Sequence, residues 1–363
     1  MRAAGRVLVC TILLVVLIGG SQWAGARPRA AARSPEQNGL AAYEWHGAGR
    51  LTRREARQRL RFLHRHGFKT VYLDLGDYLG AADQPESRDQ QWRIRKLRRH
   101  LRRYVADASR LGLAVHAVGG GPTWTDEPLR YLGSKLVELV ADYNADVVAR
   151  ERLGGVQFDI EPYVLPSFFD NEEAALVAYL ETLQSIVGIY RRVAARSPNR
   201  RLQLGFAVPF WFDGRGRSPG PVRFEGATKP AVYHLIDLVK DLRHAYLVVM
   251  SYRNFAKRPD GSIAHARDEV RYARSVGARC GLVVGQQFGD VPPPKITFHG
   301  RDRRAFAKAA KQIIRVFGYF PQFRGLSVDN VDGYMAFWQR DALHPMVISA
   351  ASEQHRPNPG WRR

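Results

Sequence analysis

The sequence is nearly devoid of cysteine. Two of its 363 residues are Cys, Cys10 and Cys280. Only Cys280 would survive removal of the N-terminal segment, so no internal disulfide can form there. That excludes a small disulfide-built scaffold. Acids are scarce relative to bases: 34 Asp and Glu against 56 Lys and Arg, a net charge of +22. Such an excess permits a polyanion partner and says nothing about fold. The 11 His residues form no H-E-x-x-H and no paired Cys/His spacing, so no zinc site is indicated. Asp329-Asn-Val-Asp-Gly333 does not keep the calcium-loop spacing. No Gly-rich nucleotide fingerprint follows the first apolar run. Gly119-Gly-Gly121 lacks the Lys-Ser/Thr of a phosphate loop, and no G-x-S-x-G elbow occurs. The sequence therefore implies neither metal nor cofactor, and it shows no fixed-period repeat. A composition of 45% hydrophobic and 25% charged residues is that of an ordinary folded chain.

Residues 1–26 read as an export signal. Arg2 and Arg6 precede an apolar run from Val7 to Ile18, and Ala24-Gly25-Ala26 is a small-residue cleavage site. The run is shorter than the roughly 20 residues a membrane span needs. Cleavage before Arg27 removes two Arg and leaves +20. The expectation is a bacterial exported protein, periplasmic or extracellular, with no membrane span after cleavage. Residues 27–39 read as a flexible leader and 346–363 as a loose tail, leaving one domain at 40–345.

Eight apolar runs punctuate that domain: Leu40–Trp45, Thr70–Leu75, Leu113–Val118, Gly155–Ile160, Leu202–Val208, Tyr246–Met250, Gly281–Val284 and Gly325–Val328. Their near-continuous apolar character suits strands covered on both faces. Helical patterns fill the gaps. Ile94, Leu97, Leu101, Tyr104, Val105 and Ala108 share one helical face. Asp170 and Glu173 suggest a capping box before the stripe Leu176, Leu180, Leu183, Val187 and Tyr190. Residues 300–317 look similar. The pattern predicts a single α/β domain, a (β/α)8 TIM barrel. In such a barrel chemistry gathers where strands end.

The fourth run ends Gly154-Gly-Val-Gln157-Phe-Asp159-Ile-Glu161-Pro-Tyr163. Alternation puts Gln157, Asp159 and Glu161 on one face, directed into the barrel mouth, and Val156, Phe158 and Ile160 on the other. Two acids that close repel, and one tends to keep a proton at neutral pH, as a general acid must. The third run leads into Ala117-Val-Gly119-Gly120 and the sixth into Met250-Ser-Tyr252-Arg253.

These three segments resemble the chitinase-type glycoside hydrolases of family eighteen, whose signatures are D-G-x-D-x-D-x-E, S-x-G-G and M-x-Y-D on strands four, three and six. Gly155, Asp159, Glu161, the two glycines, Met250 and Tyr252 match. Gly154 and Gln157 replace two acids, Ala117 replaces Ser, and Arg253 replaces Asp. The likeness covers residues 40 to 340 in layout and about a dozen positions in detail. It implies that Glu161 protonates the glycosidic oxygen while the substrate's own N-acetyl oxygen attacks the anomeric carbon, a substrate-assisted mechanism. It further implies that Asp159 orients the acetamido group and that Tyr252 hydrogen-bonds it.

Aromatic residues follow several strands: Trp45, Trp124, Tyr163, Phe210 with Trp211, and Phe288. Flat rings at a barrel mouth suit the apolar faces of sugars. Glu44, Asp74, Asp77, Gln286, Gln287, Asp329 and Asp332 stand at the same predicted rim. The expected substrate-binding set is Gln157, Trp45, Trp124, Tyr163, Trp211, Arg253, Asp74, Gln286 and Asp329. Arg253 could pair with Glu161 or Asp159, or bind an acidic sugar. A retaining enzyme with Glu44, Asp74 or Asp329 as carboxylate nucleophile is an alternative, and a non-catalytic carbohydrate-binding barrel another. Arg clusters at 53–65 and 93–103 fall on predicted outer helices. The expected partner is a polysaccharide or oligosaccharide, anionic in one reading. No motif supports a specific nucleic acid.

Overall fold

The computed structural model describes residues 39–214 and 219–340. The expected export signal, tail and leader, except for Gly39, lie outside the described residues.

All eight apolar runs are parallel strands. They are β1 (Gly39–Glu44), β2 (Phe68–Asp74), β3 (Ala114–Gly119), β4 (Gly155–Phe158) and β5 (Gln203–Pro209), then β8 (Ala245–Met250), β9 (Gly281–Gln287) and β10 (Phe323–Asp329). Hydrogen bonding in the order β1-β10-β9-β8-β5-β4-β3-β2 closes them into one barrel. The register sets Tyr43 beside Tyr72, and Asp74 beside Val118. A pair of three-residue strands, β6 (Val222–Phe224) and β7 (Ala227–Lys229), forms an antiparallel ribbon outside it. The sequence reading missed this ribbon. Its only signal is Glu225-Gly226, both at positive φ, as a two-residue hairpin turn requires.

Alternation along the strands divides the core in two. Ala41, Tyr43, Tyr72, Val118, Tyr246, Val248 and Val283 fill the barrel interior. Their sequence neighbours, such as Ala42, Val71, Leu73, Leu247 and Leu282, pack beneath the helices. Glycine makes room inside: a Cβ on Gly205 would sit 2.3 Å from the Tyr246 ring. His116 is a buried core histidine bonded through Nδ1 to the Tyr246 hydroxyl at 2.9 Å. Burial pushes its pKa down to about 3. Cys280 is buried, and burial pushes its thiol up to about 12.

The outer helices begin where side chains can satisfy their free N–H groups. Thr52 and Glu55 form a capping box for the helix Arg53–Arg65, and Ser87 caps Arg88–Arg110. Asp302 caps Arg303–Phe317. The helix Glu172–Ala194 is capped by Asn171, which accepts from the Ala174 amide, rather than by the expected Asp170. Asp170 instead closes the preceding short helix Ser167–Asp170. Among the described residues no helix is long and apolar enough to cross a membrane.

Candidate active site

Three carboxyl groups meet at the C-terminal mouth of the barrel. Asp159 directly follows β4, and its amide continues the ladder by donating to Gly119 O at 3.0 Å. Glu161 stands two residues further on, at the entry to the short 3-10 turn Pro162–Val164. Asp329 ends β10. Asp159, Glu161 and Asp329 are each partly buried as residues, with Asp159 Oδ1 itself sealed from solvent. The approach is close because residue 120 is glycine: a Cβ there would lie 2.1 Å from the Asp159 carbonyl oxygen.

The three acids have different partners. Asp329 accepts from Trp45 Nε1 at 2.8 Å, from Gln287 Nε2 at 2.7 Å and, at 3.5 Å, from the Tyr252 hydroxyl. Glu161 accepts from the Tyr163 hydroxyl. Asp159 Oδ1 is buried without a partner. Burial raises all three carboxyls. The nearby acids add to the rise: Glu161 and Asp329 act on Asp159, and Asp329 acts on Glu161. The donors around Asp329 and the Tyr163 hydroxyl on Glu161 work the other way. Among the described residues no recorded ion pair brings a Lys or Arg to any of the three. Such a cluster cannot carry three full charges, and the acid without donors is the most reluctant to ionise.

Aromatic rings frame the acids. Trp45 is 37% exposed and stacks on Tyr43 with centroids 5.2 Å apart. Trp211 meets Tyr163 edge-on at 4.9 Å. Trp45 and Tyr252 thus bond Asp329, Tyr163 bonds Glu161, and Trp211 packs on Tyr163. Gln286 and Gln287 are both expected at the rim, with Gln286 in the binding set, yet Gln287 is the one that bonds Asp329. Counting alternate residues from the inward Val283 along a strand that runs on to Gln287 identifies it. Tyr43, beneath Trp45, was missed.

Several expected site residues lie elsewhere. Gln157 is fully buried and donates to the Tyr43 hydroxyl at 2.6 Å, not to Asp159. Two residues back along the strand is about 6.6 Å deeper in the barrel. Gln286 points outward and bonds Ser262 Oγ and Gly285 O. Trp124 is core: the 3-10 turn Pro122–Thr125 folds it back, and the missing side chains of Gly119 and Gly121 leave space for its indole. Arg253 does not reach Glu161 or Asp159. Its guanidinium grips Asp260 at 2.6 and 2.9 Å and donates to Tyr252 O at 2.7 Å. Asp74 accepts from Gly76 N at 3.0 Å, at the start of the short helix Gly76–Ala82, and among the described residues no recorded bond ties it to the acid cluster. Glu44 is fully buried under the helix Arg53–Arg65, paired with Arg59 at 2.5 Å. Asp332 is exposed and bound by Arg59 and His46. Phe210 stacks on His265 at 3.7 Å, and Phe288 is buried among other rings. Of the three candidate nucleophiles, only Asp329 is at the site.

A stability prediction follows from the Asp159 environment. A carboxyl raised in the folded state contributes most below its unfolded pKa, and that contribution is lost as pH rises through the folded value. Asp159→Asn is therefore expected to raise the melting temperature at pH 8 by about 2 °C or more, since each kcal/mol is worth roughly 2–4 °C. The difference from wild type should vanish toward pH 3. A melting series across pH checks this, and a variant less stable than wild type at pH 8 contradicts it.

The fold and site define a closed (β/α)8 barrel with a carboxyl cluster and aromatic rings at its C-terminal mouth. No family model and no curated protein matches the chain. Solved structures of similar fold include the catalytic domain of a β-amylase from Paenibacillus polymyxa (10% identity, 82% of this chain and 93% of that one, TM-score 0.45). Thermotoga maritima Cel5A, solved with cellobiose, is another (10% identity, 80% and 89%, TM-score 0.47). A third is a GH18 chitinase from Cycas revoluta in complex with (GlcNAc)3 (14% identity, 82% and 96%, TM-score 0.43).

Proposed function

We propose that the protein is an exported glycoside hydrolase acting on an extracellular or envelope polysaccharide that contains N-acetylated amino sugars. The observation that carries this reading is the partly buried acid cluster, to which no recorded ion pair brings a cation among the described residues. Keeping three carboxyls together in a partly desolvated place is costly, and the cost has a return where a protonated acid must sit beside an ionised one. A barrel that only binds sugar would be better served by a cation on Glu161, and Arg253, the cation expected to pair there, is held by Asp260.

In this reading Glu161 donates its proton to the glycosidic oxygen as the bond breaks. The substrate's acetamido oxygen attacks the anomeric carbon from the opposite face. The Asp159 carboxyl hydrogen-bonds the acetamido group and orients it, while Asp329, held by its donors, is the ionised member of the cluster. The Tyr252 hydroxyl holds the same group, and Asp329, fixed by Trp45 and Gln287, takes sugar hydroxyls. Water then opens the cyclic intermediate, with Glu161 now acting as base. Trp45 and Trp211 offer platforms for the sugar rings.

The test is a pair of oligosaccharides that differ only at C2. The N-acetylated one should be cleaved with retention at the anomeric carbon, read by NMR. Its 2-hydroxy counterpart should react at least about 100-fold more slowly, the loss expected when the reacting group is absent. Equal rates, or inversion, would remove the substrate-assisted mechanism.

A further inference from the structure

We propose a second binding site on the outer wall of the barrel: a groove for a linear anionic polysaccharide along the helix Arg88–Arg110. It does not depend on Glu161 being catalytic.

The groove has a volume of about 510 Å³ and lies between that helix, the start of Arg53–Arg65 and the short turn Ala149–Glu151. Seven arginines and three acids line it. Each acid is already engaged. Asp107 is held by Arg57 at 2.9 Å, Asp146 by Arg98 at 2.8 Å and Glu151 by Arg102 at 2.9 Å. Among the described residues no recorded ion pair uses Arg95, Arg99 or Arg103, and all three are exposed. They recur every four residues, so their guanidinium groups start about 6 Å apart along one face. Like charges at that spacing destabilise a helix. A row of them in a concavity, with every local acid taken, gains nothing within the fold and much from a polyanion.

Trp92 identifies the kind of polyanion. It lies one turn before Arg95, is 56% exposed, and has the Lys96 ammonium 5.1 Å from its ring. An exposed indole at the head of a cationic row suits a chain that is both sugar and anion: the ring covers an apolar sugar face, and the arginines take carboxylate or sulfate groups. A single nucleic-acid strand would need a ring for successive bases, and no aromatic residue lines the groove itself. A concave channel also suits a strand better than the plane of a membrane.

The test is equilibrium binding of the full chain to four probes: heparin, polygalacturonate, a short single-stranded DNA and phosphatidylglycerol vesicles. Wild type should prefer one of the polysaccharides. R95Q/R99Q/R103Q should weaken that binding at least tenfold and flatten its log–log salt dependence by about 2, in proportion to the contacts removed. W92A should weaken polysaccharide binding without changing the salt slope. Gln keeps helix propensity close to that of Arg, so melting temperatures should match. Unchanged affinity in the triple variant, no polysaccharide binding, or tighter binding of DNA or vesicles would each overturn the proposal. Glu161→Gln should leave binding to the groove intact, so loss of hydrolysis and loss of wall binding are read separately.

Discussion

Glu161→Gln is expected to lower turnover by about 10²–10⁴, the usual worth of a positioned general acid, while substrate affinity changes little. Gln has the same shape as Glu and still offers an oxygen to the Tyr163 hydroxyl, the one recorded partner of Glu161. What it cannot do is deliver a proton as the glycosidic bond lengthens. The pH profile carries the same information. Glu161 must be protonated to act, and burial together with the Asp329 charge raises it from the ordinary Glu value, partly offset by Tyr163. The alkaline limb of kcat should therefore lie above the pKa of a free Glu in wild type. In Glu161→Gln the residual rate should have lost that limb. Steady-state kinetics on an N-acetylated oligosaccharide from pH 4 to 9 measure both. Turnover equal to wild type would take Glu161 out of the acid role.

The barrel was legible because strands covered on both faces leave a coarse signal: apolar runs at regular intervals with helical stripes between them. The acid pair was legible because alternation on β4 needs only local counting. Part of what failed turns on which face a strand end presents. Glu44 follows the inward Tyr43 and so points outward to Arg59. The apolar run Gly281–Val284 stops three residues short of the end of β9, so the run alone does not tell the outward Gln286 from the inward Gln287. Trp124 and Arg253 failed for another reason: their destinations depend on groups outside the strands. The glycines around Trp124 set the space for its ring, and Asp260, seven residues beyond Arg253, captures its guanidinium. No spacing rule within either strand announces these partners. The helix cap at Asn171 shows the same limit on a smaller scale, one residue from the expected position.

Arg59→Met is expected to cost about 3–5 kcal/mol, the range for stranding one half of a buried ion pair. Glu44 is fully buried at the end of β1, and Arg59 reaches it from the helix Arg53–Arg65 with two bonds, at 2.5 and 3.0 Å. The same guanidinium bonds Asp332 at 2.6 Å, on the helix that follows β10. It therefore ties together the two strands that supply Trp45 and Asp329, whose own bond spans the rim at 2.8 Å. Methionine fills much of the volume but leaves the Glu44 carboxylate without a cation in an apolar layer. The melting temperature should fall on the order of 10 °C. The decisive measurement is the double variant. Glu44→Gln combined with Arg59→Met leaves no buried charge, so most of the loss should be recovered, a strong departure from additivity. If the double variant is as unstable as the sum of the singles, the pair acts through packing, and the clamp across the β1–β10 seam is not electrostatic.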